Sequence, residues 1–516
     1  MTSALAPLYR PAFRALWIAQ FASNIGTWAQ TVGAQWLMGD LGGTAFEVAL
    51  VQTATTLPVF LLVVPSGALG DILDRRRVLM AGQALMLAGS AALMLLASTP
   101  AWLLALIAVV GVGQALSMPS FQAIQPELVP REEIPQAALL NGANMNVGRA
   151  LGPALGGALI AAAGPEAAFA FNTVSFLGVL LVLWRWRRPS DHRPLGAEHL
   201  VTAVRTGARY VRSSPLFRRV LWRCVAFTVF AGALWALLPA LARGPLGFGA
   251  SGYGVLLGSV GAGAIGGAFL VPRLLTRFGK NVLVTIASCV FALAMALSTL
   301  TTNVPAVIVC MLLTGACWIA VLSTLNATAQ ILVPAWTRAR ALAFYQLMLM
   351  GGQALGAAVW GAVADSFSLR AAMIAPAAGL VVSVLIAART VPLTSRKLDF
   401  TPVTMWDEPP ELDDVAAGPV LVTVEWRVAV ADHPSFVAAM SKVERSRKRT
   451  GATMWGLFRD TDDPELHLET FTVATWQEHL RQHVERGTVN DLEVQRAARS
   501  LAMEAPRVRH LIWASS

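Results

Sequence analysis

The chain has 516 residues, of which 55% are hydrophobic and 14% are charged, and its mean hydropathy is +0.58. A soluble globular domain has about 25% charged residues, so this composition excludes an ordinary soluble enzyme and indicates a membrane protein. The net charge of +10 does not indicate nucleic-acid binding, because the arginines fall in short segments between long apolar stretches.

Apolar stretches of about 20 residues, each long enough to cross a bilayer, predict twelve helices. The first stretch is too long for the core of a signal peptide, so we expect it to stay in the protein as a signal anchor. The predicted helices cover 13–38, 46–68, 78–98, 101–120, 143–163, 167–184, 220–242, 251–274, 282–301, 304–325, 341–363 and 370–390.

Arginine and lysine clusters alternate between the two ends of these helices. They follow the second, sixth, eighth and tenth helices, whereas the alternate connections carry chiefly Arg243 and Arg370. Positive residues collect on the cytoplasmic side of a membrane. The distribution therefore predicts a multi-pass protein of the bacterial inner (plasma) membrane with both termini in the cytoplasm.

Two parts of the chain repeat each other at a constant offset of 204 residues (352 − 148). The matched pairs are Leu128 and Leu332, Val129 and Val333, Pro130 and Pro334, Gly148 and Gly352, Gly152 and Gly356, and Gly157 and Gly361. Many secondary transporters are built from two duplicated halves. The offset therefore predicts two six-helix halves, at 1–190 and 220–391, joined by a basic cytoplasmic linker at 191–219.

The connection between the second and third helices carries a glycine–aspartate–arginine motif. It reads Gly67-Ala-Leu-Gly70-Asp71-Ile-Leu-Asp74-Arg75-Arg76-Arg77 and resembles the signature loop of the major facilitator superfamily. Asp74 stands where that family usually has glycine. Glycines allow close helix approach, and a carboxylate beside arginines can hold or release a neighbouring helix end. We therefore predict a cytoplasmic gate formed by Gly67, Gly70, Asp71, Arg75 and Arg76.

Small residues recur through the fifth helix, which also carries an arginine. The set is Gly148, Arg149, Gly152, Pro153, Gly156 and Gly157. This stretch is similar to one associated with exporters of the same superfamily, although ordinary packing of small residues is an open alternative. The fourth helix lacks the arginine that proton-linked drug exporters often have there.

Four further runs resemble the secretion-effector branch of the superfamily. That branch includes enterobactin exporters and macrolide-efflux-type proteins. The runs cover 125–130, 139–142, 326–330 and 333–341. This resemblance implies export of a small amphipathic molecule, a siderophore or a drug-like compound, against a proton gradient.

Polar residues form a stripe on one face of the first helix, at steps of three and four residues. They are Gln20, Asn24, Thr27, Thr31 and Gln35. A polar stripe within hydrocarbon faces the protein interior or a water-filled cavity, so these residues predict a substrate cavity, with Trp235 and Trp318 as candidate apolar walls.

Glu47 is the candidate proton-coupling carboxylate. Arg149 is expected either to pair with a carboxylate at the gate or to attract an anionic substrate.

After a linker at 392–418, residues 419–516 predict a soluble domain with the order β-α-β-β-α-α-β, which suggests a ferredoxin-like α+β sandwich. The domain resembles the antibiotic-biosynthesis-monooxygenase type of dimeric α+β barrel. His479 and His483 lie four residues apart on a predicted helix, but no third metal ligand is evident in the sequence, so no metal site is predicted. Regulation, or a homodimer formed through this domain, is the working hypothesis.

The predicted fold is therefore an all-α membrane protein with a twelve-helix major facilitator fold and a small α+β domain. The predicted function is secondary active export by alternating access, without a cofactor and without nucleic acid as a partner. No nucleotide-binding loop of the Gly-x-x-x-x-Gly-Lys-Ser/Thr kind occurs. Two alternatives stay open. The chain could be a membrane-anchored enzyme whose C-terminal domain modifies a lipophilic metabolite, or an importer of the same fold.

Overall fold

Long helices account for most of the chain. The computed structural model describes residues 5–186, 200–393, 399, 401, 403, 418–484 and 486–513. The chain divides into two compact units. The first consists of Met1–Leu200, Leu221–Asn326 and Tyr345–Thr394, and the second of Val201–Val220, Ala327–Phe344 and Ser395–Ser516.

The twelve predicted helices are all present. In chain order the helices before the C-terminal domain are α1 (Pro11–Asp40), α2 (Ala45–Ile72), α3 (Arg75–Leu96), α4 (Pro100–Ile124), α5 (Ile134–Ala163), α6 (Pro165–Arg185), α7 (Leu200–Ser213), α8 (Pro215–Arg243), α9 (Ala250–Leu300), α10 (Val304–Ile331), α11 (Arg338–Ser366) and α12 (Leu369–Thr390). Gly279 has a φ of 73° inside α9 and divides it into the eighth and ninth predicted helices. Among the described residues, nine of these helices are long and apolar enough to cross a membrane. The polar stripe of α1 keeps that helix out of the set.

Two boundaries differ from those that the hydropathy predicted. The fifth helix begins at Ile134 rather than at 143, because its first turns carry polar residues that a hydropathy window does not include. The basic segment predicted as a linker at 191–219 contains the amphipathic helix α7 and the first turn of α8. α7 has only 14 residues and carries arginines among its apolar residues, so a search for long apolar stretches does not detect it.

Local sequence explains several helix ends. Thr44 and Glu47 form a capping box at the start of α2, and the Asp74 side chain accepts a hydrogen bond from the Arg76 N–H at the start of α3. Gly164 has a φ of 81° and is followed by Pro165, so one helix ends and the next begins there.

The C-terminal domain has the predicted order of elements. It contains β1 (Val420–Arg427), α13 (His433–Thr450), β2 (Met454–Arg459), β3 (Leu466–Val473), α14 (Trp476–Val484), α15 (Val489–Arg499) and β4 (Arg507–Ile512). The strands form one antiparallel sheet in the order β2-β3-β1-β4, which is the ferredoxin-like topology. Alternate residues of β1 pack with Phe436, Met440 and Phe471 in the core between sheet and helices.

Candidate functional site

Three glycines of the predicted exporter motif bring α5 against α1. A Cβ atom at Gly148 would lie 2.8 Å from Asn24 Cβ, one at Gly152 2.5 Å from Trp28 Cβ, and one at Gly156 2.7 Å from Ala29 Cα. Any larger side chain at these positions would push the two helices apart. The motif therefore has a packing role, as small residues between spanning helices usually do.

Gly157 lies at a contact between the two halves of the fold. A Cβ atom there would lie 2.8 Å from both the carbonyl oxygen of Ala250 and the Cα of Gly254, and a Cβ atom at Gly254 would lie 3.0 Å from the carbonyl oxygen of Pro153. The backbones of α5 and α9 thus touch directly. Pro153, the proline of the motif, contributes its carbonyl to this contact.

The second half repeats this arrangement at the residues that the 204-residue offset relates. Gly352 and Gly356 of α11 face Thr228 and Val229 of α8, as Gly148 and Gly152 of α5 face α1. A Cβ atom at Gly361 would lie 2.6 Å from Ala49 Cβ of α2, which belongs to the opposite half. In each half, the fifth helix packs on the first helix of its own half and the second helix of the other.

The polar stripe of α1 divides into separate networks. Gln20 Nε2 donates to Asn24 Oδ1 at 3.2 Å, and Asn24 Nδ2 donates to Asn144 Oδ1 on α5 at 2.8 Å. Thr31 donates to the Thr27 carbonyl oxygen of its own helix at 2.9 Å. The stripe is therefore not one continuous cavity wall, because part of it is used for packing of α1 against α5.

Gln35, at the other end of the stripe, connects the two halves. Its Nε2 lies 3.4 Å from the carbonyl oxygen of Trp235 on α8, and its Oε1 accepts a hydrogen bond from the Tyr253 hydroxyl on α9. Arg243 acts nearby: it pairs with Asp40 at 3.0 Å, donates to the Trp36 carbonyl oxygen at 2.9 Å, and its guanidinium lies 4.0 Å from the Trp36 ring centroid. These contacts hold the two six-helix halves together at the helix ends that the arginine distribution predicts to lie on the periplasmic side of the membrane.

A ladder of tryptophans from three helices lies inside the first unit. The ring centroids of Trp28 and Trp235 are 6.2 Å apart, and those of Trp235 and Trp318 are 5.2 Å apart. Among the described residues, the buried indole nitrogens of Trp235 and Trp318 have no hydrogen-bond acceptor. An unpaired buried donor costs free energy unless a ligand or water satisfies it, so these two N–H groups are candidate contacts for a bound molecule.

Arg149 lies at one end of this ladder. Its guanidinium is 5.3 Å from the centroid of the Trp28 ring, and the side chain is half-buried. In the part of the chain that the structure describes, no carboxylate pairs with Arg149, and its buried Nε has no acceptor. The two roles that the sequence left open for this residue, pairing with a carboxylate at the gate and attraction of an anionic substrate, both stay predictions.

The predicted cytoplasmic gate is described in part. The surroundings of Gly67 and Gly70 and the side chain of Asp71 are outside the part of the chain that the structure describes. Arg75 pairs with Glu127 at 3.2 Å. Arg76 donates to the Leu183 and Trp184 carbonyl oxygens at 2.7 and 2.8 Å, so it caps the end of α6. Asp74 replaces the glycine of the family pattern and serves as the N-cap of α3.

Glu47 lies in the capping box of α2, where its Oε2 accepts a hydrogen bond from the Thr44 N–H at 2.9 Å. Its role in proton coupling stays a prediction.

A buried network that the sequence did not reveal joins α1, α3 and α6: Gln30 Oε1 accepts from Ser90 at 2.6 Å and from Asn172 at 2.8 Å. Each of the three polar residues lies within a stretch predicted to span the membrane, where a polar side chain needs a partner.

In the second unit, the C-terminal domain contacts α7 and the segment between α10 and α11. Arg209 of α7 donates to the Gly451 carbonyl oxygen, and the Arg486 guanidinium lies 5.2 Å from the Trp336 ring centroid. Tyr210 donates to the Leu332 carbonyl oxygen at 2.5 Å and its ring packs edge-on against Trp336. Arg486 is held by Glu478 of α14 at 2.7 Å.

The C-terminal domain also contains two histidine groups. His479 and His483 lie together with His510 of β4, a third residue that the sequence did not reveal. Burial is the largest cause that lowers the pKa of His479 to about 4 and that of His483 to about 3, so both rings are neutral at pH 7. Separately, His433 and His467 line a cavity of about 370 Å³ between α13 and strands β2 and β3.

Comparison with known proteins shows the family of the chain. The chain matches the transmembrane secretion effector family over residues 2–516. It is 26% identical over 379 residues to the enterobactin exporter EntS of Shigella flexneri, covering 72% of this chain and 90% of that protein.

Solved structures share the fold. A bacterial homolog of the human lysosomal transporter Spinster superposes with a TM-score of 0.59 at 18% identity, covering 74% of this chain and 97% of that one. A POT family transporter in complex with 5-aminolevulinic acid superposes with a TM-score of 0.61 at 14% identity, covering 74% of this chain and 96% of that one.

The fold is thus that of a major facilitator transporter with an added α+β domain. The chain belongs to the transmembrane secretion effector family, and it is a multi-pass inner-membrane exporter.

Proposed function

We propose that this exporter carries a small amphipathic anion with aromatic rings, of the siderophore class, out of the cytoplasm. The observation that carries the proposal is Arg149, a cation without a carboxylate partner among the described residues, at the end of the Trp28–Trp235–Trp318 ladder. A cation within a bilayer is costly and marks a substrate pathway by default. An anionic substrate would neutralise it, while the tryptophan faces and indole N–H groups would contact aromatic rings and hydroxyls.

The sequence similarity to enterobactin exporters supports this substrate class. The direct test is a comparison of metabolites retained by a deletion strain and its parent, under iron starvation and in iron-replete medium. Transport of the compound that accumulates in the deletion strain is then measured as its accumulation in inverted membrane vesicles from cells that express the chain. Retention of only neutral or cationic compounds would contradict the proposal, and uptake into intact cells in place of efflux would favour an importer.

Transport would proceed by alternating access around this site. The Arg243–Asp40–Trp36 contacts and the Gly157–Gly254 contact would form the outer gate, and the Asp71 loop the cytoplasmic gate. We further propose that protons drive the cycle, with Glu47 as the candidate carrier. In vesicles, a proton gradient is expected to drive accumulation that a protonophore abolishes. Accumulation that persists with protonophore would exclude protons as the energy source.

Replacing Asp71 with asparagine is expected to lower the transport rate about fivefold or more while the protein still inserts, since the carboxylate would no longer attract the positive N-terminal end of a neighbouring helix, an interaction of roughly 1 kcal/mol. The measurement is the rate of substrate accumulation in inverted vesicles, at matched expression. Asp74→Asn is the matched control, because asparagine removes a charge from the same loop but still caps α3. Wild-type efflux in the Asp71 variant would remove the proposed gate role.

The C-terminal domain is proposed to regulate the transporter through α7 and the segment that carries Trp336, and to form a homodimer. The contacts of Arg209 and Arg486 give it a route to the connections between spanning helices. The cavity beside His433 and His467 is the observation that favours the second candidate function, an enzyme acting on a lipophilic metabolite.

Removing residues 394–516 separates these functions. The shortened chain is expected to retain efflux above the empty-vector background and to run as a monomer by mass photometry, whereas the full chain runs as a dimer. Arg486→Ala, which keeps the domain but removes its cation from Trp336, is the companion variant. If the truncated chain inserts normally but shows no efflux above the empty-vector background, the result would favour the membrane-anchored enzyme.

A further inference from the structure

We propose that His479, His483 and His510 form a binding site for one divalent transition-metal ion, with Zn²⁺ as the cation that the ligand set fits best. Imidazole nitrogens suit zinc, copper, nickel and cobalt, and three histidines with an open position are a known zinc arrangement. The inference is independent of the transported substrate.

The three rings already have the spacing of a metal site. One ring nitrogen from each lies within 4.8 Å of the others, and the Nε2 atoms of His479 and His483 are 3.0 Å apart. A tetrahedral zinc with bonds of about 2.0–2.1 Å to nitrogen places the centroids of its imidazoles about 5.2 Å apart. The observed centroid separations are 4.4, 4.9 and 6.2 Å.

The surrounding hydrogen bonds orient a lone pair of His479 toward the centre of the group. The Thr450 hydroxyl donates to the carbonyl oxygen of Ser446 at 3.0 Å, so it accepts the bond from Gln482 Nε2 at 2.9 Å. Gln482 Oε1 is therefore the acceptor that lies 3.3 Å from His479 Nδ1, and this nitrogen carries the proton. His479 Nε2 is left with its lone pair facing His483, which is the second-shell arrangement of metal-bound histidines.

The fold holds these ligands on two elements. His479 and His483 are one turn apart on α14. His510 lies opposite Val422 on the edge strand β4, so it faces the helices. The Trp476 ring packs against both His479 and His510, with centroids 5.4 and 6.0 Å away. Among the described residues the group has three members, which leaves the fourth position for water or a ligand, and a bound ion would fasten β4 to α14.

The experiment uses the full chain purified in detergent with a histidine-free tag, freed of metal by a chelator and dialysed. Titration with Zn²⁺ in a calorimeter is expected to show one ion per chain, and Co²⁺ should give the ligand-field absorption of a tetrahedral nitrogen site. His479→Ala, His483→Ala and His510→Ala should each weaken Zn²⁺ binding at least about 100-fold, since loss of a second-shell partner alone costs 10–100-fold. Gln482→Met should weaken it by about 10–100-fold.

The matched control is His433→Ala combined with His467→Ala. These two rings also touch, with Nδ1 and Nε2 2.8 Å apart, but the described residues bring no third ligand to them. This double variant should bind Zn²⁺ as the wild type does. Circular dichroism of each metal-free variant checks folding, and His510, which is only half-buried, is the substitution that the fold should tolerate best. No stoichiometric binding by the wild type, or binding unchanged in a folded His510→Ala variant, would overturn the proposal.

Discussion

Replacing Arg149 with glutamine is expected to weaken the apparent affinity for the anionic substrate about 30-fold or more, which corresponds to roughly 2 kcal/mol. The guanidinium lies over Trp28 and has no carboxylate partner among the described residues, so the substrate anion would be its counter-charge. Concentration-dependent transport in inverted vesicles gives the affinity. A neutral ester of the same substrate should be affected much less, because it offers no charge to pair.

The same substitution should leave the protein as stable as the wild type, or make it more stable. An unpaired cation within the bundle costs free energy of desolvation, and glutamine removes that cost. Thermal unfolding in detergent is therefore expected to show an unchanged or higher Tm. Reduced substrate affinity together with retained stability is what separates a substrate-binding arginine from a structural one.

Arg223 is the matched control for Arg149. It is also an arginine inside a spanning helix, but it donates to Asn281 Oδ1 at 2.5 Å and to the Thr285 hydroxyl at 3.2 Å. Arg223→Gln should lower the Tm and leave substrate affinity at the wild-type value. Arg149→Lys keeps the charge and should retain part of the affinity. Equal losses for the anion and its ester in Arg149→Gln would show that the residue does not bind the charge.

Patterns within single helices and between the repeats could be predicted from the sequence. The 204-residue offset related Gly157 to Gly361, and both contact the second helix of the opposite half. Hydropathy identified twelve spans because each is continuous in sequence. The order of elements along the C-terminal domain was predicted in the same way, beginning with the alternation within β1.

Features that depend on distant residues could not be predicted. His510 lies 27 residues (510 − 483) beyond its partner on α14, and only the position of β4 at the edge of the sheet brings it there. Gln30, Ser90 and Asn172 come from three helices and meet through packing alone. The stripe on α1 predicted a cavity wall, and that role stays a prediction. Its division between contacts with Asn144 and with Tyr253 could not be predicted, because it depends on which helix lies beside each turn.

Replacing Gly157 with valine is expected to lower transport at least about tenfold while the protein still inserts. The Cβ of valine would lie 2.8 Å from backbone atoms of Ala250 and Gly254, and backbone cannot rotate away as a long side chain can. Overpacking of this kind costs about 1–3 kcal/mol. Because the contact joins the two halves, this cost applies to the state in which α5 and α9 touch, and the equilibrium shifts toward the state in which they separate.

Two measurements test this interpretation. Alkylation of a cysteine introduced at Gly258, a turn away from the contact on α9, should become faster in Gly157→Val if the halves separate there. Gly178→Val in α6 is the matched control, because a Cβ atom at Gly178 has nothing within 4 Å, so it should transport and alkylate like the wild type. Gly361→Val, at the related contact with α2, should resemble Gly157→Val. If Gly157→Val transports normally, the closure of α5 on α9 is not a step of the transport cycle.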